Sequence, residues 1–525
     1  MQGNIFSSPS ATTSVSTLLG ETGVQALANA ARTALLWVDG ERTYGQLRER
    51  ALKLAAALRK RGLKDGDRLA TMLFNRGETF ELYFACAFAG LTIVPISFRL
   101  TASEVSMIVE DCAPGLIFTE AELRPVVDEA VKHLPLANSV ITLDAHASGA
   151  AYEEFVNSAE PLADHHFTPI QLILYTSGTT GRPKGVAMTH TNILWCAFQQ
   201  AALFRNLSAD SVMLLTGPMY NTAAMNESSI PTFLVGGTNA ILPSLGWTPE
   251  RMARLINEWR VTHGLIFPSM FRPFLDLDEK TPMPFSNLRW VLTGGENCPP
   301  AVMSAFRKRW PHIWLVVAYG STETGFVTIV EDEDIEGHPG SVGRATPGQS
   351  VRVVSADGTV AAVNEIGEVW TSGPAVISNY WNAPDLDAAT VKNGWLKIGD
   401  LGRMDENGHL FIAGRTKDLI ISKSQNIYPA EIENVLRNHP DIADAAVVGV
   451  PDEEFGEAVC AVVVLRNGRK LQPEEVIAFS RQSLASYKKP RHVVFVSEFP
   501  RGSSGKVKKD ELASTCRAYL SGQKV

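Results

Sequence analysis

The chain has 525 residues, more than one hydrophobic core usually covers, and this length predicts at least two domains. A formal net charge of −8 argues against general nucleic-acid binding, which favours a basic surface. The six scattered cysteines show no CxxC spacing, which indicates a reducing compartment and argues against a disulfide framework or a structural zinc site.

The N-terminal segment MQGNIFSSPSATTSVSTLLG lacks the charged start and the apolar block of a secretory signal. The longest apolar stretch without a charge, residues 82–98, is short for a membrane span and contains Gly90 and Pro95. A buried helix running into a buried strand accounts for it, with the break near Gly90. We therefore expect a cytoplasmic protein without an integral membrane segment or a nucleic-acid partner, and the sequence leaves open whether it forms a homodimer.

Strand and helix patterns alternate in the first part of the chain. Residues 44–62 place apolar residues at helical spacing opposite a charged face, and Gly62 ends that helix. Strands that alternate with helices of this length predict an α/β unit with a largely parallel sheet. The further elements predicted here are a strand at 67–73, a helix at 78–89, a strand at 91–96, a helix at 101–111 and a strand at 115–118.

An apolar strand at 170–175 leads into the segment TSGTTGRPKG. Glycines let the backbone approach a ligand closely, and successive amides and hydroxyls in such a turn form a concave anion site. Lys184 adds a positive charge, although the segment lacks the pattern of the common phosphate loop. We favour polyphosphate binding over a plain surface turn. The candidate contacts are Thr176, Ser177, Gly178, Thr179, Thr180, Gly181 and Lys184.

Several further strands end at loops that carry glycine, hydroxyl or carboxylate groups. Ligands in open α/β sheets bind beyond the carboxyl ends of the strands, so these loops predict one shared site. The strands are predicted at 212–215, 263–267, 289–293 and 314–318, and the loops at 217–221, 294–297 and 319–325. A buried helix at 222–234 carries Asn226 and Glu227, and we interpret Glu227 as capping the helix or reaching solvent.

After residue 340 the pattern changes to short strands joined by turns such as Asp357-Gly358 and Asn407-Gly408. A boundary at 414–418 divides a large N-terminal unit, residues 1–414, from a small C-terminal unit, residues 415–525. The small unit is predicted to hold helices at 431–437 and 474–484 and strands at 445–450 and 458–464. Near its end Lys506 lies among small residues, which suits either entry into the site of another domain or a solvated terminus.

In chain order, YTSGTTGRPKGV, GGEN, YGSTETG, WLKIGD, GRTKD and PRGSSGKV resemble the motifs of the adenylate-forming superfamily of acyl-CoA synthetases, adenylation domains and luciferases. The resemblance covers residues 44–512. It implies a large α/β domain with parallel-rich sheets and a small β-rich subdomain, followed by a small mobile α+β domain. It also implies two reaction steps: a carboxylate attacks the α-phosphate of MgATP, and a thiol, usually that of coenzyme A, then displaces AMP.

The resemblance also implies roles for residues of the nucleotide site. Glu323, with Thr176, would hold Mg²⁺, a cation that prefers oxygen ligands. Thr322 would bond the α-phosphate, Asp400 would accept hydrogen bonds from both ribose hydroxyls, and Arg415 would contact the ribose and phosphate end. The remaining contacts would come from Gly295, Glu296, Asn297, Tyr319, Gly320 and Ser321, with Tyr319 and residues 295–297 around the adenine.

Lys506 corresponds to the lysine that bridges the substrate carboxylate and the α-phosphate. Its charge would stabilise the negative charge that develops there, rather than transfer a proton. The catalytic residues implied are thus Lys506, Glu323 and Thr322. Lys417 falls at the hinge about which the small domain rotates, and this rotation excludes water while the labile adenylate exists.

We expect an acyl pocket formed by Tyr220, Asn221, Ala224, Met225, Phe267 to Met270, Gly294 and Gly295. This mostly apolar set suits a medium-chain fatty acid or an aromatic acid. Asn221 stands where members with PMFH-type loops carry histidine, which predicts a different pocket shape. The coenzyme A channel is implied at Lys423, Ser424, Gln425 and Asn426. Ser424 replaces a glycine common in the family, which predicts a narrower channel or a shifted backbone.

The sequence leaves three functions open. The first is an AMP-forming acyl-CoA synthetase that uses ATP, Mg²⁺, coenzyme A and a small carboxylic acid. The second is a free-standing adenylating enzyme that loads a separate carrier protein, since no carrier domain follows the Lys506 motif. The third, a catalytically silent nucleotide- or acyl-binding protein, would be expected to lack Lys506, Glu323 or Asp400. No ligand cluster in the sequence predicts a metalloenzyme.

Overall fold

The computed structural model describes residues 14–19, 30–136, 139–143, 150–164, 166–176, 182–296, 299–422, 425–452, 454–502 and 507–520. The strands are β1 (Thr33–Trp37), β2 (Gly40–Thr43), β3 (Arg68–Met72), β4 (Thr92–Pro95), β5 (Leu116–Glu120), β6 (Val140–Leu143), β7 (Ile170–Thr176), β8 (Lys184–Thr189), β9 (Val212–Leu215), β10 (Thr238–Ile241), β11 (His263–Leu265), β12 (Trp290–Gly294), β13 (Trp314–Ser321), β14 (Gly325–Val330), β15 (Arg344–Ala345), β16 (Ser350–Val354), β17 (Gly367–Ser372), β18 (Tyr380–Trp381), β19 (Val391–Lys392), β20 (Trp395–Met404), β21 (Leu410–Arg415), β22 (Ile420–Ser422), β23 (Gln425–Ile427), β24 (Ile442–Asp452), β25 (Gly456–Leu465) and β26 (His492–Val496). The α-helices are α1 (Tyr44–Lys60), α2 (Glu78–Ala89), α3 (Ala102–Cys112), α4 (Arg124–Val131), α5 (Ala150–Val156), α6 (His190–Leu203), α7 (Ser229–Val235), α8 (Pro249–Glu258), α9 (Pro268–Asp278), α10 (Pro300–Arg309), α11 (Pro384–Thr390), α12 (Pro429–Arg437), α13 (Pro473–Arg481) and α14 (Lys509–Leu520).

Two mixed sheets form the large N-terminal part. The seven-stranded sheet has the order β18-β8-β7-β4-β3-β5-β6, and the nine-stranded sheet has the order β15-β14-β13-β12-β11-β9-β10-β1-β2. The inner strands pair in parallel, as β3 does with β4 and β12 with β13. Antiparallel pairs lie at the edges, as in β7 with β8 and β13 with β14. Parallel neighbours need crossover connections, which the intervening helices supply, and the predicted parallel-rich α/β fold is confirmed.

Local sequence explains where the first helices begin and end. The Thr43 side chain accepts a hydrogen bond from the Gln46 N–H, and the Gln46 side chain caps Thr43 in return, which starts α1. Helix α2 is buried along its whole length and ends at Gly90, whose φ of 69° is left-handed. The wholly buried β4 follows. The apolar stretch at 82–98 is therefore a core helix and a core strand, as predicted.

One apolar core links the two large sheets around α2. Phe84 of α2 packs edge-to-face against Phe233 of α7, with ring centroids 5.2 Å apart. Phe80 makes a similar contact with Phe233 at 5.1 Å. The same buried cluster includes Leu69 of β3 and Met213 of β9, one from each sheet. This packing holds the carboxyl ends of both sheets in fixed positions, which is what a site built from several strand ends requires.

Two smaller sheets complete the chain. Strands β16, β17, β19, β20 and β21 form an antiparallel sheet, which corresponds to the expected β-rich subdomain. Strands β22 to β26 form the other, in which only β25 and β26 pair in parallel. Alternate residues of β24 face two separate cores: Val447 packs with residues of α12 and α13, and Val448 with residues of α14. The C-terminal part is therefore a smaller α+β unit, as predicted.

The buried helix after the loop at 217–221 differs from its prediction. It begins as a one-turn π-helix, Ala223–Ser228, and continues as α7. Residues 224–233 are all buried, so the helix has no solvent-facing side. The interpretation of Glu227 as reaching solvent was therefore wrong, because its side chain is 6% exposed. Burial raises the pKa of Glu227 to about 8, against the opposing effect of a hydrogen bond with the Thr222 side chain.

Two composition-based expectations can be compared with the described residues. Within them, no helix combines the length and the apolar character that crossing a membrane would require. The five cysteines in this part of the chain, Cys86, Cys112, Cys196, Cys460 and Cys516, are all free and buried. These side chains therefore pack in the core, and no two of the described cysteines form a disulfide bond.

Candidate active site

The predicted nucleotide residues gather at one region of the fold. Thr176 ends β7, Lys184 begins β8, Tyr319 lies in β13 and Asp400 lies in β20. Other predicted site residues lie outside the described residues, namely Ser177, Gly178, Thr179, Thr180, Gly181, Asn297, Lys423, Ser424 and Lys506.

An ion pair connects the segment after β7 with the loop after β13. The ammonium of Lys184 lies 2.6 Å from Oε1 of Glu323. Tyr380 contacts both groups, because its hydroxyl lies 3.2 Å from the same carboxylate oxygen and 3.4 Å from Lys184 Nζ. Strand β18 pairs antiparallel with β8, with Tyr380 opposite Val186. The backbone ladder therefore fixes the tyrosine beside the lysine.

Glu323 is held as an ionised, buried carboxylate. Its side chain is only 8% exposed. Burial alone would raise the pKa of this carboxyl, but the charge and the hydrogen bond of Lys184 outweigh burial and lower the pKa below its ordinary value. The Ile377 N–H donates to the Glu323 carbonyl oxygen at 2.9 Å. Thr324 accepts a hydrogen bond from the Ser321 N–H at 2.9 Å. The carboxylate is thus placed by its own turn, with Thr322 half-buried beside it.

Thr176 carries a buried hydroxyl that makes no hydrogen bond with any described residue. It stands opposite Lys184 in the ladder between β7 and β8. Buried hydroxyls normally have a partner, so a hydroxyl left open beside a cation indicates a position for a bound ligand. The Thr176 oxygen and the Glu323 carboxylate are both oxygen donors of the kind that Mg²⁺ prefers, and together they fit a Mg²⁺–phosphate group.

A second polar cluster lies at the end of β13. The hydroxyl of Tyr319 donates to Oδ2 of Asp400 at 2.7 Å. Arg415 Nε lies 3.4 Å from Oδ1 of the same carboxylate, and the two residues face each other in the ladder between β20 and β21. Burial and the Asp400 charge raise the pKa of Tyr319 well above its ordinary value, so its hydroxyl stays protonated. Asp400 is therefore oriented to accept hydrogen bonds from a ligand.

Glycines let the strand ends of this region pack closely. A Cβ on Gly294 would lie 2.3 Å from the carbonyl oxygen of Ala318, and one on Gly320 would lie 1.9 Å from that of Gly325. Gly295 has a left-handed φ of 76°, which favours glycine. Glu296 follows as an exposed residue, and its carboxylate accepts a hydrogen bond from the Ser269 N–H at 3.3 Å.

A cavity of about 210 Å³ lies next to the turn that carries Glu296. Among its lining residues are Asn221 and Met270, both predicted for the acyl pocket, and Glu296, predicted for the nucleotide site. The rest of the lining is mixed, with Asn75, Phe98, Arg99, Thr216, Pro218, Leu242, Pro243, Ser244, Trp247, Phe267 and Ser269. Half of the lining residues are apolar and half are polar or charged, so the cavity offers both an apolar surface and hydrogen-bonding groups to a small molecule.

Three other residues predicted for the acyl pocket are buried. Ala224 and Met225 have no exposed surface, and Met225 belongs to the apolar core. Tyr220 is also buried and packs edge-to-face on Phe98 with ring centroids 5.4 Å apart. None of the three is among the residues that line the cavity. The lining includes Phe267, which was predicted for the acyl pocket, and Phe98, which the sequence did not single out.

The remaining predicted residues lie in the C-terminal part. Lys417 sits in a short 3-10 turn, Thr416–Asp418, between β21 of the β-rich subdomain and β22 of the last sheet. Its position between two separate sheets is compatible with the predicted hinge. Gln425 and Asn426 are exposed residues of β23. Neither contributes to the cavity described above.

The chemistry of the region divides into two neighbouring subsites. Lys184 and Arg415 offer positive charge for phosphates, and Asp400 offers a carboxylate for hydroxyls. The cavity lined by Asn221 and Met270 suits a small organic acid. Two such subsites at neighbouring strand ends of an α/β fold agree with the class that the motifs resemble, the adenylate-forming enzymes.

Comparison with known proteins gives the family. The model of the family described as AMP-binding enzyme matches residues 24–381, and that described as AMP-binding enzyme C-terminal domain matches residues 431–506. The chain therefore belongs to the AMP-binding enzyme family, and its relatives place it among the AMP-forming acyl-CoA synthetases of the adenylate-forming superfamily.

Similar proteins cover almost the whole chain. An indoleacetate–CoA ligase of Aromatoleum aromaticum is 34% identical over 489 residues, which are 92% of this chain and 94% of that protein. A fatty acid–[acyl-carrier-protein] ligase, ScoC, of Streptomyces coeruleorubidus is 32% identical over 512 residues, 94% and 96% of the two chains. The crystal structure of ATP-bound MatB from Rhodopseudomonas palustris has a TM-score of 0.87 at 28% identity and covers 96% and 99% of the two chains.

Sequence reasoning missed Tyr380. Its hydroxyl completes the Lys184–Glu323 pair, but it lies 196 residues from Lys184 in the chain. The sequence marks this position only by a Tyr-Trp pair between the short strands of the β-rich part. The pair does not reveal which strand it joins. The pairing of β18 with β8 is a long-range contact that only the structure supplies.

Sequence reasoning also missed a histidine cluster away from this site. Asp334, His338 and His409 place potential ligand atoms within 4.8 Å of one another. The two imidazole rings are stacked with centroids 3.5 Å apart, and Arg344 already pairs with Asp334 at 3.0 Å. Stacked rings cannot direct in-plane nitrogens at one ion, so we interpret the cluster as packing between the β14–β15 and β20–β21 connections.

Proposed function

We propose that this chain is an ATP-dependent carboxylate–CoA ligase that acts on a medium-chain fatty acid or an aromatic acid. The observation that carries the proposal is the Lys184–Glu323–Tyr380 cluster, which lies in the same region of strand ends as the Tyr319–Asp400–Arg415 cluster. ATP-bound MatB, which shares the fold along nearly its whole length, supports the assignment of this region to ATP.

In the first step, a carboxylate oxygen of the acid attacks the α-phosphorus of ATP. A new P–O bond forms, the bond to the bridging oxygen breaks, and pyrophosphate leaves. Lys184 holds the β- and γ-phosphates by its charge, and Thr322 donates to the α-phosphate. Asp400 accepts hydrogen bonds from the ribose hydroxyls, while Arg415 contacts the ribose and phosphate end. Glu323 with Thr176 would hold Mg²⁺, whose charge would offset part of the phosphate charge.

The ion pair between Lys184 and Glu323 is a resting arrangement in this proposal. The half-buried Lys184 and the buried Glu323 satisfy each other at 2.6 Å when no ligand separates them. When ATP binds, Lys184 exchanges the carboxylate for a phosphate, and Glu323 would then be free to hold Mg²⁺ in place of the lysine. The exchange leaves neither charge buried and unpaired. Tyr380 bridges both groups, and so remains a hydrogen-bond partner throughout.

In the second step, the thiol of coenzyme A attacks the acyl carbon of the adenylate. A C–S bond forms, the C–O bond to the phosphate breaks, and AMP leaves. We propose that residues 415–525 rotate about Lys417 relative to residues 1–414 between the two steps. Lys506 serves the first step, and the segment with Lys423, Ser424, Gln425 and Asn426 guides coenzyme A in the second. Such alternation excludes water from the adenylate.

The test is pyrophosphate release across a panel of medium-chain and aromatic carboxylic acids, with and without coenzyme A. We expect release with at least one acid class and formation of its acyl-CoA thioester and AMP when coenzyme A is present. Activation of no acid in the panel would contradict the proposal. Adenylation that does not respond to coenzyme A would agree with the proposed first step and contradict the proposed second step.

The similarity to ScoC, named as a fatty acid–[acyl-carrier-protein] ligase, favours one second candidate. In that case the acceptor thiol belongs to a carrier protein rather than to free coenzyme A. The same panel separates the two when a phosphopantetheinylated acyl-carrier protein replaces coenzyme A. Acyl transfer to the carrier alone would favour this candidate.

A further inference from the structure

The three strands that carry Thr176, Lys184 and Tyr380 are held together on the face opposite these residues. Strand β8 lies between β7 and β18 in the seven-stranded sheet. Successive side chains of a strand point to opposite faces of a sheet, so each of the three residues has a chain neighbour on the other face. These neighbours pair with one another across the two ladders, and they are Tyr175, Gly185 and Trp381.

Gly185 lets the two aromatic neighbours close over β8. A Cβ on this glycine would lie 3.0 Å from the Cβ of Trp381 and 3.2 Å from the Cζ of Tyr175. Both aromatic side chains pack against the same apolar cluster beneath the sheet. Because they stand on either side of Gly185, the place of the adjacent Lys184 depends on where Tyr175 and Trp381 are fixed.

Asp111, near the end of α3, is bonded to both of the outer strands. Its carboxylate accepts a hydrogen bond from the Tyr175 hydroxyl. Its carbonyl oxygen accepts one from the indole N–H of Trp381 at 3.2 Å and one from the side-chain amide of Asn382 at 3.0 Å. The last carbonyl groups of a helix have no partner within it, so the end of α3 can accept these bonds. Partial burial raises the pKa of Tyr175, and the bond with Asp111 adds to this, so its hydroxyl stays a donor.

The end of α3 is itself fixed to the same sheet. Arg68 of β3 donates to the carbonyl oxygen of Cys112 at 2.6 Å and to that of Ala113 at 2.9 Å. Its guanidinium also lies 5.6 Å from the ring centroid of Trp381, within range of a cation–π contact. Asp111 is therefore held by its own helix end, and the strands β7 and β18 are bonded to a fixed point.

We propose that Asp111 is a positioning residue for ATP, which acts through β7 and β18 to set Thr176, Lys184 and Tyr380 at the spacing that the phosphates require. This proposal rests on the proposed function. If the carboxylate is lost, Tyr175 is released and the end of β7 can shift relative to β8, which separates the groups that meet the phosphates. Asp111 does not line the acid cavity, so its effect should be confined to the nucleotide.

The test measures the Kd for ATP by calorimetry in the presence of Mg²⁺, together with KM for the acid. Asp111→Ala removes the carboxylate and keeps the carbonyl oxygen, and Tyr175→Phe removes the same hydrogen bond from the other side. We expect each to raise the Kd for ATP roughly fivefold, as is usual for residues that act on a site through their neighbours, with KM for the acid unchanged. The double variant should bind ATP about as weakly as the weaker single variant, because both substitutions remove one shared bond. Asp111→Asn keeps an acceptor oxygen and should recover most of the affinity.

Tyr152→Phe is the matched control. It removes another tyrosine hydroxyl bonded to a carboxylate, that of Glu81 at 2.9 Å, and it should leave the Kd for ATP unchanged. Melting temperatures of all variants show whether ATP affinity merely follows stability. An unchanged Kd in Asp111→Ala and Tyr175→Phe, or a loss in Tyr152→Phe that matches theirs, would overturn this inference alone. A wild-type protein that does not bind ATP would overturn the proposed function and the inference with it.

Discussion

At the scale of single residues, the cluster of Lys184, Glu323 and Tyr380 joins parts of the chain that are far apart in sequence. Each member changes the behaviour of the others. Lys184 keeps Glu323 ionised despite burial. Burial and the Glu323 charge raise the pKa of Tyr380, which keeps its hydroxyl as a donor at every working pH. The lysine also lies over the tyrosine ring, 4.8 Å from its centroid, which adds a cation–π contact.

Tyr380→Phe should weaken the binding of MgATP without changing that of the acid. The substitution removes a hydrogen bond to a charged group, for which about 1.5 kcal/mol corresponds to a roughly tenfold rise in KM for ATP. The acid cavity does not include Tyr380, so KM for the acid should stay the same. Steady-state pyrophosphate release measures both constants. Tyr44→Phe, which removes another buried hydroxyl bonded at 2.7 Å to Gly237, is the matched control. An unchanged KM for ATP would contradict the role of Tyr380.

The buried acid Glu227 gives the fold a distinct dependence on pH. Its folded-state pKa of about 8 exceeds the ordinary value of 4.5, so the folded chain binds this proton more tightly than the unfolded chain. The resulting stability is fully present below pH 4.5 and is lost as pH rises toward about 8. The full change is on the order of a few kcal/mol. Glu227→Gln cannot ionise, and so should gain thermal stability relative to the wild type between pH 5 and pH 9. A constant difference in melting temperature across that range would contradict this prediction.

At the scale of elements, the helices and strands with clear periodicity could be predicted from the sequence. Helix α2 was predicted over its actual bounds, and β9 likewise. The ends of these helices could be predicted because the sequence marks them, as with the capping residue Thr43 and the left-handed Gly90. The π-helix was not, because a spacing of apolar residues does not reveal a shift in backbone hydrogen bonding. In a segment buried on all sides, periodicity also carries no information about which side chains meet solvent.

The pairing of elements that lie far apart in the chain could not be predicted from the sequence either. The register of β20 and β21 sets Asp400 opposite Arg415, and the motif resemblance had named both residues for one ligand. The resemblance gave no partner for Tyr319, whose hydroxyl meets Asp400 across 81 residues. Similarly, Ala224 and Met225 were predicted to line the pocket and instead pack in the core, because which side of a buried helix faces a cavity depends on tertiary packing.

At the scale of the whole molecule, the β-rich sheet that carries Asp400 and Arg415 continues directly into the C-terminal unit. Arg415 ends β21, and the 3-10 turn with Lys417 begins at the next residue. Across this turn, Lys509 of α14 lies 3.9 Å from Asp418 and 2.7 Å from Glu433 of α12. The turn is therefore held to the C-terminal unit on one side and to the nucleotide cluster on the other. A rotation there would move Lys506 while leaving the Asp400–Tyr319 contact in place.

Lys506→Ala tests whether Lys506 acts in the first reaction step only. If Lys506 stabilises charge only while the adenylate forms, its loss should reduce pyrophosphate release by several orders of magnitude, as expected for removal of a preorganised charge. Thioester formation from supplied acyl-AMP and coenzyme A should continue at nearly the wild-type rate, because the residue has then left the site. The two half-reactions are measured separately. Lys508→Ala is the matched control: this exposed lysine pairs with Glu511 at 2.8 Å on α14, and both rates should remain unchanged without it. Equal loss of both half-reactions in Lys506→Ala would contradict alternation about Lys417, because a single fixed arrangement would then serve both steps.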